Sequence, residues 1–190
     1  VLTVLGKKLL FPDPRSAIAG GEADGLVAIG GDFSVPRLLL AYRSGIFPWT
    51  VRPITWWSPD PRAIFKLEPW HVSRSLARVL RQNAFAVTRD QAFRQVMEGC
   101  AERAPGRGST WVTAEFIEAY TRLHREGHAH SVECWQDGKL AGGIYGVTIG
   151  GFFAGESMFR RADNASKVAL HHLVQHLRER GFALFDTQVM

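Results

Sequence analysis

The sequence has no run approaching the ~18 consecutive apolar residues that a membrane-spanning helix needs, so no membrane is expected among its partners. Cysteine is nearly absent: Cys100 and Cys134 stand far apart and form no Cys-x-x-Cys spacing. That excludes a disulfide framework and a thiolate zinc site, and it points to the reducing cytoplasm. The first residues offer a short apolar run before two lysines and no small-residue cleavage pattern, so no signal peptide is expected. Missing too are a Gly-x-x-x-x-Gly-Lys-[Ser/Thr] loop, a Gly-x-Gly-x-x-Gly turn after a strand and a Gly-x-Ser-x-Gly elbow. Nucleotide hydrolysis, dinucleotide binding and serine-hydrolase chemistry therefore lose their support. Excess charge is modest. Against 18 Asp and Glu stand 23 Lys and Arg, a formal net charge of +5, which names an anionic partner only if the positive groups are concentrated.

What is present describes a folded chain. With 190 residues, 46% hydrophobic and 22% charged, it is long enough for one full core plus a small satellite domain and too apolar for disorder. Residues 11–62 are rich in Gly, Pro and Trp and read mainly as ordered loop with one helix, residues 35–44, capped by Ser34 and ended by Gly45. Residues 1–62 are expected to form a small N-terminal domain and residues 63–190 a second, larger one.

In the larger part, residues 72–83 place Val72, Leu76, Val79 and Leu80 on one helical face and Arg74, Arg78 and Arg81 on the other. Asp90 is expected to cap a helix carrying Phe93, Val96, Met97 and Cys100, and Thr113 a helix carrying Phe116, Ile117, Tyr120 and Leu123. From His130 the period changes to two. Residues 131–136, 139–149 and 152–157, joined by Asp137-Gly138 and Gly150-Gly151, read as an antiparallel meander. A helix over 165–180 and a strand over 182–189 follow, giving an α+β fold with a mainly antiparallel sheet flanked by helices.

Three polar residues in apolar surroundings are candidates for chemistry. Asp186 and Gln188, two apart on the last strand, leave the same face of an ideal strand. Glu156 is a lone carboxylate in Phe152-Phe153-Ala154-Gly155-Glu156-Ser157-Met158. A buried Asp bonded to backbone amides explains Asp186 equally well at this point, and Glu156 must be paired, protonated or functional. Of six tryptophans, Trp49, Trp56, Trp57 and Trp111 lie in or beside Gly/Pro-rich loops. There they suit either stacking on a ligand or packing between domains, and packing is preferred for Trp56 and Trp57. No metal site is expected: Gly127 breaks the helix between His124 and His128, and no carboxylate pattern accompanies His172 and His176. The arginine face is either a solvated surface or a track for phosphates.

Six strings carry a resemblance: Gly25-Leu26-Val27-Ala28-Ile29-Gly30-Gly31-Asp32, Gly45-Ile46-Phe47-Pro48-Trp49, Trp56-Trp57-Ser58-Pro59-Asp60-Pro61-Arg62, Gly127-His128-Ala129-His130-Ser131, Gly155-Glu156-Ser157-Met158-Phe159 and Asp186-Thr187-Gln188-Val189. Through them the chain resembles the leucyl/phenylalanyl-tRNA–protein transferases. The resemblance implies transfer of Leu or Phe, less readily Met, from its tRNA to the N-terminal Arg or Lys of a protein, marking it for degradation. It also implies an acetyltransferase-like C-terminal domain. An aminoacyl ester is already activated, so no cofactor is expected. Asp186, Gln188 and Glu156 are the expected catalytic residues. The expected lining of the aminoacyl slot is Ile144, Phe153, Met158, Leu170, Leu173, Leu177 and Phe185. Trp49 and Trp111 are expected to stack on the terminal adenosine, with Tyr42 near its ribose and Arg74, Arg78 and Arg81 along the acceptor stem. The expected partners are Leu-tRNA, Phe-tRNA and basic-ended proteins, met by a cytoplasmic monomer. Members of this family continue past Met190, so the chain is expected to be shortened at that end. A CoA-dependent N-acetyltransferase and a non-catalytic RNA-binding module stand as alternatives.

Overall fold

A computed structural model describes residues 2–102 and 110–189. The chain first builds a four-stranded sheet of order β1-β2-β4-β3, from β1 (Thr3–Leu5), β2 (Leu26–Gly30), β3 (Phe47–Val51) and β4 (Ile54–Trp57). Helix α1 (Val35–Arg43) lies between β2 and β3, with Ser34 at its N-cap position and Pro36 in its first turn. This sheet corrects the expectation of ordered loop over residues 11–62. Its strands are three to five residues long, and β3 contains Pro48, which a strand tolerates only at a sheet edge, where β3 lies. Periodicity over so few residues carries no signal.

The second sheet has six strands in the order β5-β10-β9-β8-β7-β6. Its strands are β5 (Ala63–Phe65), β6 (Ala86–Arg89), β7 (Ala129–Gln136), β8 (Lys139–Ile149), β9 (Phe152–Arg160) and β10 (Leu184–Gln188). The expected meander is β7-β8-β9, turning at Asp137 and Gly138, both at positive φ as the tight hairpin requires. Strand β10 returns parallel to β9, and every other neighbouring pair in this sheet is antiparallel.

Two apolar cores cover the two faces of this sheet. On one, Ile144, Phe153 and Phe185 pack beneath Val168, Leu173, Val174 and Leu177 of α5 (Ala165–Glu179). Helix α2 (Arg74–Arg81) lies outside α5 and inserts Leu76. On the other face Tyr145, Val147 and Phe159 meet α3 (Phe93–Ala101) and α4 (Ala114–Arg125). This second core is continuous with Leu38, Ile46, Phe47 and Trp56, so one apolar body joins the two sheets. Trp56 is fully buried and donates its indole N–H to the Gly30 carbonyl at 2.8 Å. The expected cap of α3 is corrected: Asp90, at φ 57°, accepts the Ser131 N–H and pairs with His130 instead, and Ala92 occupies the N-cap position.

Helix α5 lies close on the meander because β8 has glycine beneath it. A Cβ at Gly142 would come within 2.7 Å of the Ala165 Cβ and 3.0 Å of the Phe159 carbonyl oxygen. The Gly142→Ala variant is therefore expected to lose ~1–3 kcal/mol of stability, the usual penalty of overpacking. A urea-unfolding midpoint equal to that of the parent would show that the helix can move away freely.

Candidate active site

Two β-bulges aim the central side chains. Between β8 and β9, Tyr145 pairs with Ser157 and Gly146 with Gly155, which leaves Glu156 as the extra residue. Between β10 and β5, Asp186 pairs with Ile64 and Gln188 with Ala63, which leaves Thr187 extra. A bulge bends its strand and redirects a side chain. Here the two bulges converge: the Gln188 amide Nε2–H donates to Glu156 Oε1 at 2.7 Å.

Glu156 Oε1 accepts a second hydrogen bond, from the Tyr42 hydroxyl at 2.7 Å. Tyr42 in turn accepts from the Tyr120 hydroxyl, and both tyrosines are buried. The second carboxyl oxygen, Oε2, is buried without a partner among the described residues. Burial opposes the charged form, and nearby Asp186 reinforces it. Against the hydrogen bonds from Tyr42 and Gln188 and the more distant Arg62, these effects push the Glu156 pKa up to about 8. Burial likewise lifts both tyrosines well above their usual value, so they remain neutral donors.

Asp186 is held differently. Its carboxylate accepts from Arg62 Nε at 2.9 Å and Nη2 at 2.6 Å, and also accepts the backbone N–H of Gln188 at 2.9 Å. The remaining Arg62 nitrogen, Nη1, donates to the Gly45 carbonyl at 2.8 Å, and the guanidinium lies 5.0 Å from the Phe47 ring centroid. The negative charge of Asp186 is thus already matched.

Glu156 and Gln188 open onto a cavity of about 170 Å³ whose walls include Trp49, Trp111, Pro48 and Gly155. Trp49 and Trp111 also line an adjoining, wider hollow of about 470 Å³ with Thr50, Arg52 and Thr113. The two tryptophans expected to stack on a ligand therefore stand together beside the acid–amide pair. Tyr42 does not: its ring is buried beneath Glu156 and its hydroxyl is committed to Glu156 and Tyr120.

The expected aminoacyl lining divides. Ile144, Phe153, Leu173 and Leu177 line a separate cavity of about 170 Å³, closed by Val132 and Phe182 and edged by His130 and His176. Phe185, Leu170 and Met158 line neither cavity. Phe185 is buried between Phe65 and Phe153, Leu170 is half-buried in the α5 core, and Met158 is 44% exposed. A Cβ at Gly155 would come within 2.6 Å of Phe185, so Gly155 of the first hollow packs on the Phe185 ring, which in turn packs on Phe153 of the second. Arg74, Arg78 and Arg81 are exposed on α2, away from the acid–amide cavity, and none forms an ion pair with a described residue.

Two residues of the site carried no role in the sequence reading. Tyr120 lies on the buried stripe of α4 and looks like core until its hydroxyl is followed to Tyr42. Arg62 ends a Gly/Pro-rich segment, and its partner Asp186 is 124 residues away. Among the described residues no group of three or more His, Cys, Asp or Glu could hold a metal ion.

The carboxyl state of Glu156 has a consequence for stability. Its folded pKa of about 8 lies above the usual 4.5, so as pH rises from about 4.5 to about 8 the unfolded chain releases this proton first and the fold loses stability. Glu156→Gln keeps a hydrogen-bond acceptor for Tyr42 and Gln188 and has no such proton. Its melting temperature is expected to gain on the parent's across that window and to hold the gain above it. A difference that does not change with pH would place the Glu156 carboxyl in water.

Comparison with known proteins adds an independent line. The family model for the leucyl/phenylalanyl-tRNA protein transferase matches residues 64–190, and the model for that family's N-terminal domain matches residues 31–60. The chain is 54% identical over 188 residues to the leucyl/phenylalanyl-tRNA–protein transferase of Syntrophobacter fumaroxidans, covering 97% of this chain and 79% of that protein. It is 50% identical to the enzyme of the same name from Pseudomonas syringae pv. tomato, covering 100% of this chain and 83% of that protein. Among solved structures it is similar to L-PGS from Bacillus licheniformis at 14% identity and TM-score 0.48, covering 85% of this chain and 52% of that one. It is also similar to an aminoglycoside acetyltransferase from a soil metagenome at 12% identity and TM-score 0.45, covering 57% and 80%. The two family matches and the identity to these relatives show that the chain belongs to the leucyl/phenylalanyl-tRNA–protein transferases, enzymes that move an aminoacyl group from its tRNA to a protein.

Proposed function

We propose that Glu156 and Gln188 form the transfer centre, with Glu156 as the proton acceptor for the attacking α-amine. The observation that carries this reading is the half-buried Glu156, its Oε2 enclosed and without a partner among the described residues and its Oε1 fixed by Gln188 and Tyr42, at the wall of the Trp49–Trp111 cavity. A free α-amine has a pKa of about 7.7–8.0, so proton transfer to a carboxyl poised near 8 is close to balanced. The Gln188 side-chain oxygen holds the amine while its nitrogen holds Glu156. The amine attacks the ester carbonyl carbon, the C–N bond forms and the C–O bond to the ribose breaks. The proton passes from the amine through Glu156 to the departing ribose oxygen, with the neighbouring ribose hydroxyl assisting. Asp186, its charge matched by Arg62, orients Gln188 rather than accepting the proton.

Trp49 and Trp111 hold the terminal adenosine, where stacking contributes about 1–3 kcal/mol per base. The Leu or Phe side chain enters the hollow lined by Ile144, Phe153, Leu173 and Leu177. An apolar slot discriminates by only about 1–3 kcal/mol per methylene, so Met is accepted less readily rather than refused. Arg74, Arg78 and Arg81 follow acceptor-stem phosphates without reading sequence. The acceptor protein presents an N-terminal Arg or Lys. In support, Asp24 and Asp60 line a cavity of about 620 Å³ beside Arg62 and Asp186, and neither forms an ion pair with a described residue. In this reading residues 1–62 are the small domain that supplies Trp49, one half of the adenosine wall, and the enzyme works as a monomer in the cytoplasm, where tRNA is charged and the buried thiols of Cys100 and Cys134 stay reduced.

The test is single-turnover transfer of Leu from Leu-tRNA to proteins that begin with Arg, Lys or Ala. Arg and Lys are expected to be modified and Ala not. Glu156→Gln and Gln188→Ala are each expected to slow transfer by about 10²–10⁴-fold while changing Leu-tRNA affinity by less than about threefold, as expected when a proton-transfer group is lost. Rate and affinity falling together would assign the pair to binding instead.

A further inference from the structure

We infer that Arg62 is a positioning residue of the transferase: it fixes the turned backbone at Gln188 through Asp186 and ties that turn to the strand carrying Trp49. The inference rests on the reading of Glu156 and Gln188 as the transfer centre. It starts from an unfavourable conformation. Gln188 has φ 65°, in the left-handed region that non-glycine residues seldom adopt. Such a conformation persists only where its surroundings impose it.

What imposes it is a short chain of hydrogen bonds. Asp186 Oδ1 holds the Gln188 N–H at 2.9 Å, and Arg62 grips both oxygens of that carboxylate through Nε and Nη2. The Asp186 side chain is 3% exposed, so its hydrogen-bond partners come from the protein rather than from water, and Arg62 supplies most of them. The other end of the guanidinium reaches a different part of the fold. Nη1 donates to the carbonyl of Gly45, which lies between α1 and β3, and the plane covers Phe47, two residues before Trp49. One planar cation thus meets β10, which carries Gln188, and the start of β3, which carries Trp49.

Lysine cannot reproduce this. Its ammonium is a point charge, whereas these contacts use three nitrogens in one rigid fork. Arg62 lines the wider cavity beside Asp24 and Asp60 but not the one onto which Glu156 and Gln188 open; it reaches Glu156 only through its field, and its hydrogen-bonded link to the transfer centre runs through Asp186 to the backbone of Gln188. Loss of the fork is therefore expected to lower turnover while leaving donor binding almost intact.

The experiment compares Arg62→Lys, Arg62→Gln, Asp186→Asn and the double variant Arg62→Lys/Asp186→Asn, each checked for folding by thermal unfolding. Arg62→Lys and Arg62→Gln are expected to lower kcat by at least about 30-fold, with KM for Leu-tRNA within about threefold of the parent. On the Asp186→Asn background, Arg62→Lys is expected to cost less than a further threefold or so, because both act through one unit. The inference is overturned if Arg62→Lys retains near-parental turnover, if kcat and affinity for Leu-tRNA worsen equally, or if the two effects multiply. Loss of folding in both Arg62 variants overturns it too, since the pair would then be holding the fold and not the site. Gln188→Ala run alongside separates the two readings. If it abolishes transfer while Arg62→Lys spares it, the Arg62 role alone fails; if it leaves transfer intact, the transfer centre is misplaced.

Discussion

A carboxyl oxygen enclosed without a hydrogen-bond partner is unfavourable, and Oε2 of the half-buried Glu156 is held in that state among the described residues. Tyr42 and Gln188 both bind the same oxygen, Oε1, while Oε2 receives nothing from the described residues. Asp186 adds a repulsive charge nearby, and Arg62 offsets part of it. A fully hydrogen-bonded carboxylate would be acidic and inert as a base. A fully apolar pocket would leave it protonated throughout the neutral range. The mixed surroundings hold it near 8, so about a tenth of the molecules carry it ionised at pH 7, the fraction the proposed transfer would draw on. Neither bulge has an evident purpose without that convergence.

The same sheet separates the two demands of the reaction. The face away from α5 carries Glu156 and Asp186 at the edge of the second apolar core, with Trp49 of β3 and Trp111 of the segment before α4 across the cavity from Glu156; the α5 face carries the apolar hollow of Ile144, Phe153, Leu173 and Leu177. Glycine at 155 lets Phe185 pack directly against that backbone, since a Cβ there would come within 2.6 Å of the ring. Membership of the transferase family sets aside the CoA-dependent acetyltransferase and the non-catalytic RNA-binding alternatives.

Much of this was legible in the residues. The change to period two after His130 announced the meander, Asp137-Gly138 marked its first turn, and the apolar surroundings of Glu156 singled it out. Other parts were not. The four-stranded sheet is hidden because its strands are short and Pro48 sits inside one of them, a pattern that local reading assigns to loop. Asp90 has the right type and place for a cap, yet a left-handed backbone and His130 take it elsewhere. Tyr42 is far from Glu156 in sequence, and only the packing of α1 against α4 and β8 turns its hydroxyl inward. Arg62 is the plainest case: a three-way clamp between residues 45, 62 and 186 has no signature in any window of the sequence.

The proposed proton transfer depends on the protonation state of one side chain, which can be measured directly. In protein labelled with ¹³C at the glutamate carboxyl, the Glu156 resonance, assigned by its absence from Glu156→Gln, is expected to titrate with a midpoint of about 8. A midpoint near the ordinary 4.5 would mean that Glu156 is a solvated carboxylate at neutral pH, and the proton transfer assigned to it would have to lie elsewhere.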